Sequence, residues 1–204
     1  HPLIHTIQAR ATTAPVKSNT SGSWQTHLDT GALLESEWTI VTTGALTADW
    51  FPKLPLGRIR GQITRLTAAA PPLKATVSGA GYALPPIQGA QSIGATFDRD
   101  CADPAVRDDS HRLNLQTLGE WLPGLGRQFH SGDILDGWAG FRSTTPDHMP
   151  IAGSCDGLHL IAGLGGKGLA YAPILAEEVA DAICGQPAVL DPDLGKRVSP
   201  TRFL

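Results

Sequence analysis

The chain has 204 residues, of which 41% are hydrophobic and 17% charged, and its formal net charge at pH 7 is -3. This composition is that of an ordinary globular protein with one large domain or two small ones. The charge balance lacks the basic excess of a dedicated nucleic-acid-binding domain, which argues against a nucleic acid bound mainly by this segment.

Cysteine and histidine spacing gives no sign of a metal site. Cys101, Cys155 and Cys184 lie far apart without a C-x-x-C spacing, which predicts reduced thiols and neither a zinc site nor a disulfide framework. No stretch supplies the ~20 apolar residues of a membrane span, and no signal peptide is evident. We therefore expect a cytoplasmic protein without a membrane or metal partner. The chain starts at His1 without a start signature, so we expect a piece of a longer protein.

The N-terminal quarter of the chain is predicted to form strands. Residues 3–10 alternate crudely between apolar and polar side chains, which predicts a strand. The stretches WQTHLDTG and SEWTIVTTGA predict a hairpin whose second arm, residues 38–42, is a buried strand that stops at Gly44.

Short strands and one helix are predicted in the middle of the chain. Apolar alternation between turn residues gives three strands. They are GQITRLTA (61–68), GYALPP (81–86) and SIGATFD (92–98). A helix is predicted within residues 104–125, where a Pro-Gly pair at 123–124 ends it. Its apolar face consists of Leu113, Leu115, Leu118 and Trp121.

The C-terminal part predicts a strand, a glycine loop and a helix. Residues 137–153 have no helical period and predict a strand followed by a loop. LHLIAG (158–163) predicts a buried strand, and 169–184 is the clearest helix of the chain. Its apolar positions are Leu175, Val179 and Ile183, and Gly185 follows as its C-terminal cap.

These elements predict an α/β fold with an α+β insertion. Strands dominate the middle of the chain, whereas both ends resemble pieces of an α/β layer. We therefore assign residues 1–51 and 141–204 to a nucleotide-binding domain and residues 52–140 to an inserted antiparallel-sheet domain.

The glycine loop after residue 162 matches G-x-G-x-x-G literally, through Gly163, Gly165 and Gly168. A dinucleotide-binding start also needs a second strand after the helix and an acidic residue about 20 positions further on. The remaining sequence, CGQPAVLDPDLGKRVSPTRFL, contains no convincing buried strand and is too short for such a domain half. The literal match is therefore misleading.

The loop nevertheless has the chemistry of a ligand contact. A helix N-terminus carries free N–H groups and a positive dipole end, glycine permits close backbone approach, and Lys167 adds a full charge. A flavin, whose N1–C2=O edge becomes negative on reduction, suits such a loop. From the loop alone, a tight turn that merely packs the helix on a sheet remains an equal alternative.

Several motifs in a fixed order resemble the C-terminal part of the D-amino-acid-oxidase-like family of FAD enzymes, which includes glycine oxidase and sarcosine oxidase. In that family an arginine precedes a T-x-D-x-x-P-x-x-G-like segment, a strand, a flavin loop and a helix with Ala-Pro near its start. The matching residues here are Arg142, then Thr145, Asp147, Pro150 and Gly153, then 163–168, then Ala172 and Pro173.

The resemblance covers roughly residues 35–204. WTIVTTGALTADWFP, LPLGRIRGQITRL and GYALPPIQGAQSIGATFD resemble the family's cofactor strand, its crossover into the substrate domain and its pair of substrate-side strands. The family's N-terminal G-x-G-x-x-G and acidic ribose ligand have no counterpart here. The resemblance thus implies the C-terminal portion of a two-domain FAD-binding, Rossmann-like oxidoreductase with an antiparallel-sheet substrate domain.

Within the family, the closing segment AICGQPAVLDPDLGKRVSPTRF is similar to the oxidoreductase part of bifunctional tRNA-modifying members. That similarity implies oxidation of the carboxymethylaminomethyl group on the wobble uridine of tRNA, with FAD as cofactor, to give an aminomethyl group and glyoxylate. It also implies tRNA as substrate and a methyltransferase domain that uses S-adenosylmethionine, fused or separate, for the next step.

The resemblance also implies site residues. Arg142 would bind the substrate carboxylate, and Tyr82 would contact the carboxylate or the amine; the alternatives are a salt bridge for Arg142 and a core aromatic for Tyr82. The implied cofactor-binding residues are Gly44, Gly163, Gly165, Gly166, Lys167, Gly168 and Leu169. For Lys167 the alternative is a solvated loop lysine. A general-base role for His148 is disfavoured, because flavin amine oxidation often needs no dedicated base.

Three arginines of one predicted strand region have two possible environments. Arg58, Arg60 and Arg65 lie in GRIRGQITR, where a solvated strand face is favoured over contact with FAD phosphates or tRNA. One alternative function is an oxidase or dehydrogenase of the same family acting on glycine, sarcosine or a D-amino acid. The other is a non-catalytic fragment that lacks the nucleotide-binding half.

Overall fold

The computed structural model describes residues 3–99, 101–155 and 157–203, which form two compact units. The first unit combines the chain up to Gly57 with the chain from Ser143 onward, and the second is Arg58–Arg142. No helix in the described ranges is long and apolar enough to cross a bilayer. The predicted assignment of residues 52–140 to substrate binding concerns function and stays a prediction.

Eleven strands and five α-helices follow one another within the described ranges. They are β1 (Val16–Lys17), β2 (Trp24–His27), β3 (Leu33–Ser36), β4 (Ile40–Val41), α1 (Thr47–Trp50), β5 (Gly57–Thr67), β6 (Val77–Ser78), β7 (Tyr82–Ala83), β8 (Ala90–Gly94), α2 (Asp108–Trp121), α3 (Pro123–Gly126), β9 (Ile134–Thr144), β10 (Ile151–Cys155), β11 (Leu158–Ala162), α4 (Gly168–Cys184) and α5 (Pro192–Val198). Short 3₁₀ turns occupy Gly44–Leu46, Ser131–Asp133 and Pro200–Phe203.

The N-terminal part of the first unit is a small antiparallel sheet in the order β1-β2-β3. The predicted hairpin exists, but its second arm is β3 rather than residues 38–42, because a turn closed by Gly31 (φ 82°) returns the chain early. The predicted strand at 3–10 is wrong. Its apolar side chains Leu3, Ile4 and Ile7 are exposed, and the first bridge of this region is at Ala11.

A second sheet of the first unit has the order β10-β11-β4, with β4 parallel to β11. All five residues of β11 are buried, as the apolar run predicts. Leu158 and Leu160 join one core cluster, whereas Ile161 joins another that includes Leu175 and Val179 of α4. A strand covered on both faces favours apolar side chains along its length, which explains why four of its five residues are apolar; the exception is the buried His159.

The predicted C-terminal helix is confirmed as α4. It packs its Leu175 and Val179 side chains into the core and ends at Gly185, whose φ of 66° is left-handed and whose N–H bonds the carbonyl of Asp181. Glycine is favoured there because a side chain disfavours this backbone conformation.

The second unit is built on a five-stranded sheet in the order β6-β7-β8-β5-β9, which confirms the predicted sheet in the middle of the chain. The registered strand pairs are antiparallel. The helix α2 ends at Trp121, before the Pro-Gly pair, as predicted. It packs on one sheet face through a cluster that includes Leu66, Ile93 and Leu118, while Leu113 lies outside that cluster and is exposed.

Alternation along β5 gives the two faces of this sheet different chemistry. Gln62 and Thr64 point toward α2, where Asn114 donates hydrogen bonds to the Gln62 carbonyl and the Thr64 hydroxyl, both at 2.9 Å. Arg65 points the other way and pairs with Asp136 of β9 at 2.9 Å. Successive side chains of a strand point to opposite faces, so Gly61 lies on the same face as Arg65.

Arg60 corrects the expectation of a solvated arginine face, because its side chain is completely buried. Its guanidinium donates to Asp98, Ser110 and Gln62, and to the backbone carbonyls of Asp103 and Ala105. It therefore joins distant segments of the second unit and is closed to FAD phosphates and tRNA. The Arg65 side chain is in contact with solvent, as predicted, since 43% of it is exposed. Arg58 is half-buried.

Replacing Arg60 by methionine should destabilise the protein strongly. Methionine keeps the apolar stem but removes the donor to Asp98 and to the carbonyls of Asp103 and Ala105, and each buried acceptor left unpaired typically costs about 1–3 kcal/mol. The measurement is urea-induced unfolding followed by tryptophan fluorescence. The control is Arg65→Met, which removes an exposed ion pair and should cost about 0–1 kcal/mol. Equal losses in the two variants would contradict the structural role of Arg60.

Candidate functional site

The glycine loop joins β11 to α4 in the first unit. Gly163 and Gly165 have left-handed φ values of 68° and 56°, so any other residue would be strained there. The Gly165 N–H donates to the Ser143 carbonyl at 2.8 Å, and a Cβ on Gly163 would lie 2.9 Å from Thr145 Cγ2. The loop is thus held in one shape by the segment that follows Arg142.

The next residues of the loop are open. A Cβ added to Gly166 would meet no atom within 4 Å. Lys167 caps the N-terminus of α4, with its ammonium 6.0 Å from the Tyr171 ring, and Leu169 is 98% exposed. This stretch combines a bare backbone, a cation and the positive end of a helix of 17 residues that begins at Gly168.

Gly44 lies at the same sheet edge as the glycine loop. It follows β4, has a φ of 59° and opens the 3₁₀ turn. Because β4 and β11 are parallel neighbours, their carboxyl ends share one edge of the sheet. Ligands of open α/β sheets bind outside the carboxyl ends of strands. The structure therefore brings together the predicted cofactor residues Gly44 and 163–169.

In the second unit, Arg142 of β9 lies flat on the sheet face that does not carry α2. Its Nη1 donates to the Thr96 carbonyl at 3.3 Å, and its Cζ lies 5.8 Å from the centre of the Phe97 ring. No carboxylate among the described residues forms an ion pair with it. The salt bridge considered as an alternative for Arg142 is therefore not seen in the described part of the chain.

Tyr82 of β7 lies on the same face, at the position paired with Gly94. Its hydroxyl is 3.2 Å from where a Cβ on Gly94 would be. Partial burial raises the pKa of Tyr82 above 10.0, although the charge of Arg142 acts in the opposite direction. The phenol is therefore neutral at physiological pH and can donate a hydrogen bond next to a guanidinium.

Three residues around the Arg142 guanidinium are not among those predicted from the sequence: Gly61, Thr96 and Phe97. Thr96 and Phe97 act through a backbone carbonyl and a ring face, for which residue type alone gives no signal. Gly61 does leave a signal, since a glycine inside a strand often marks the close approach of another group. Here the approaching group is the Arg142 guanidinium, whose Cζ is 2.5 Å from the position of an added Cβ.

The turn at 145–149 is structural. Burial tends to raise the pKa of Asp147, but hydrogen bonds from Arg202, the Met149 N–H and Thr145 outweigh it and lower the pKa to about 2. Arg202 Nε donates to Asp147 at 3.0 Å and so joins the C-terminal 3₁₀ turn to this loop. His148 is exposed and left-handed (φ 57°), as is typical of a turn residue.

The family follows from the sequence match. Residues 7–182 match the family model described as "FAD dependent oxidoreductase" (DAO). Since this range covers most of the chain, the chain belongs to the DAO family of FAD-dependent oxidoreductases. This result confirms the family and the FAD cofactor that the order of the motifs implied.

Two individual relatives from different bacteria share one name. The chain is 34% identical to the "tRNA 5-methylaminomethyl-2-thiouridine biosynthesis bifunctional protein MnmC" of Hahella chejuensis (strain KCTC 2396), over 100% of this chain and 35% of that protein. It is 37% identical to the protein of the same name from Marinobacter nauticus, over 88% of this chain and 31% of that protein. The chain thus spans about a third of the length of the curated relatives it matches.

Solved structures confirm the fold class. Glycine oxidase from Geobacillus kaustophilus aligns with a TM-score of 0.78 at 22% identity, over 95% of this chain and 52% of that one. Iminodiacetate oxidase from Chelativorans sp. BNC1 aligns with a TM-score of 0.73 at 24% identity, over 93% of this chain and 52% of that one.

The pair Asp147–Arg202 predicts a pH-dependent stability. The lowered pKa of Asp147 means that its ionised form stabilises the fold, fully above its ordinary value of 3.8 and less as pH falls toward about 2. In Arg202→Ala the thermal midpoint should therefore drop most above about pH 4, and the difference from the parent should shrink toward pH 2, leaving the part due to the bonds from Arg202 to the Met149 and Ser199 carbonyls. The exposed Arg197→Ala is the control. A difference that stays constant across this pH range would contradict the assignment.

Proposed function

We propose that this chain is the C-terminal part of an FAD-dependent enzyme that oxidises the carboxymethylaminomethyl group on the wobble uridine of tRNA. The reacting group is an N-substituted glycine. Oxidation of its C–N bond to an imine, followed by hydrolysis, leaves an aminomethyl group and releases glyoxylate. The observation that carries the proposal is the guanidinium of Arg142, which lies next to the neutral phenol of Tyr82 without a carboxylate partner among the described residues.

The chemistry of this pair suits a carboxylate. A guanidinium has five N–H donors in a planar fork that matches the two oxygens of a carboxylate. The Thr96 carbonyl accepts from one Nη of Arg142 and leaves the other donors available. The Tyr82 hydroxyl has no hydrogen bond to a described residue and adds a further donor. A carboxylate bound in this way would fix the orientation of the neighbouring C–H bond, on which the rate of such a reaction depends.

The glycine loop fits the flavin. The predicted contacts are Gly44, Gly163, Gly165, Gly166, Lys167, Gly168 and Leu169. The open space at Gly166 lets a planar ring approach the backbone, and Lys167 with the N-terminus of α4 places positive charge beside its electron-rich edge. When bound, FAD supplies the hydride acceptor of the reaction.

The partners follow from the relatives. Their name assigns them to tRNA 5-methylaminomethyl-2-thiouridine biosynthesis and calls them bifunctional. We accordingly propose tRNA as the substrate, a fused or separate methyltransferase domain that uses S-adenosylmethionine for the following step, and a cytoplasmic location. With a net charge of -3, this chain contributes little general attraction for tRNA, so much of the tRNA contact would come from elsewhere in the whole protein.

A second candidate is an oxidase or dehydrogenase of small amino acids. It is favoured by one observation, which is that Arg142 and Tyr82 can recognise the carboxylate of free glycine or sarcosine as well as that of a modified uridine. A third possibility, a non-catalytic fragment, predicts that this chain by itself retains no flavin and shows no turnover.

The Arg142→Ala variant of the whole protein should bind its substrate about 10- to 100-fold more weakly, because hydrogen bonds to a charged group contribute about 1.5–3 kcal/mol. Its flavin absorbance at 450 nm should stay normal. The matched control is Arg99→Ala, because Arg99 is an exposed arginine over the same Phe97 ring, 5.4 Å from its centre. Unchanged kinetics of Arg142→Ala would remove Arg142 from the site.

The substrate is tested by flavin bleaching in the whole protein with three parallel substrates. They are tRNA bearing carboxymethylaminomethyluridine, glycine and sarcosine. Bleaching by the tRNA alone supports the proposal, whereas bleaching by glycine or sarcosine favours the second candidate. A colourless protein would show that the glycine loop holds no flavin.

The glycine loop is tested separately with Gly166→Val. The added side chain would occupy the open space next to the backbone, so the flavin content of the purified protein should fall. The control is Gly132→Val, since an added Cβ there also meets no atom within 4 Å. Normal flavin occupancy in Gly166→Val would show that the loop only packs α4 on the sheet.

A further inference from the structure

We propose that Gly61 is a positioning residue for Arg142. By lacking a side chain, it lets the guanidinium lie flat on the sheet and so fixes the direction from which the carboxylate is bound. This inference rests on the proposed function, in which Arg142 binds the carboxylate.

The backbone does not require glycine at this position. Gly61 lies in the middle of β5, which has sheet neighbours on both sides. Its φ lies outside the left-handed region, so other residues can adopt the same conformation. A glycine inside a strand costs conformational entropy and offers nothing to pack. The residues that surround position 61 must therefore explain why it is a glycine.

The neighbour of Gly61 is the end of one side chain. An added Cβ would lie 2.5 Å from both Cζ and Nη2 of Arg142, closer than a real contact allows. All three of the nearest atoms belong to Arg142. The guanidinium thus occupies the space that a side chain at position 61 would fill.

Two more glycines of this sheet also lie close to large side chains. The pairs are Gly61 with Arg142, Gly94 with Tyr82, and Gly140 with Trp138. An added Cβ on Gly94 would lie 3.2 Å from both the Tyr82 hydroxyl and Ile63 Cγ2, and one on Gly140 would lie 2.8 Å from Trp138 Cζ2. We call Gly61, Gly94 and Gly140 the glycine floor. It lets both proposed carboxylate ligands lie close to the backbone of the sheet.

The glycine floor and the Thr96 carbonyl together define the orientation of the Arg142 side chain. One edge of the guanidinium is held by the Thr96 carbonyl, and Phe97 lies beside it. A methyl group at position 61 would push the guanidinium away from the sheet and from this acceptor. Because the displaced atoms are the far end of a flexible side chain, the strand itself need not move, and the fold should persist.

The test is Gly61→Ala in the whole protein. Ligand binding is measured through the change in the flavin absorbance band, with glycolate as a carboxylate probe and glycolamide as its neutral counterpart. Glycolate should bind at least about tenfold more weakly, the size expected for one lost charge-assisted hydrogen bond, while glycolamide binding, flavin content and thermal midpoint stay unchanged. The control is Gly119→Ala, since an added Cβ there meets no atom within 4 Å. Equal weakening of both probes, or normal glycolate binding, would overturn the proposal.

A double-mutant cycle separates this inference from the proposed function. If Gly61 acts through Arg142, the Gly61→Ala change has no further effect on glycolate binding in an Arg142→Ala background. An equal loss in both backgrounds would show that Gly61 acts elsewhere. If Arg142→Ala alone leaves glycolate binding intact, the proposed function fails instead. A weakened Arg142→Ala beside a normal Gly61→Ala refutes only the positioning role.

Discussion

The shape of the glycine loop depends on the hydrogen bond from the Gly165 N–H to the Ser143 carbonyl. The acceptor belongs to the segment that continues into the turn at 145–149, where the Thr145 hydroxyl donates to the Met149 carbonyl at 2.6 Å. Arg202 in turn donates to that same carbonyl at 2.8 Å and to Asp147. A series of contacts therefore extends from the C-terminal 3₁₀ turn to the loop proposed to contact the flavin.

Local patterns predicted the elements that bury a continuous face. The apolar run of β11 and the periodicity of α4 are examples, because a buried strand and an amphipathic helix each leave a repeat in the sequence. The strand predicted at 3–10 failed, since alternation does not reveal whether a partner strand exists. The second arm of the hairpin was predicted at residues 38–42, whereas it is β3, because the early turn at Gly31 was not recognised.

The site was predicted less completely than the fold. The resemblance to a family suggested Arg142, Tyr82 and the glycine loop, whereas spacing alone left each with a structural alternative. Arg60 was misjudged, because the five groups that accept from it include four that lie 38 to 50 positions away. Gly61 could have been noticed as a glycine inside a strand, but the group that approaches it, Arg142, is distant in sequence. Contacts between distant residues are not encoded in any local repeat.

The burial of Arg60 also affects how the second unit can fold. Burying an unpaired cation is costly, so we expect the Arg60 side chain to be buried only when the acceptors between Asp98 and Ser110 dock around it. Those acceptors lie 38 to 50 positions after Arg60, and closing such long loops is slow compared with forming local turns. We therefore expect the sheet and the segment before α2 to form together, so that this unit assembles in one cooperative step rather than strand by strand.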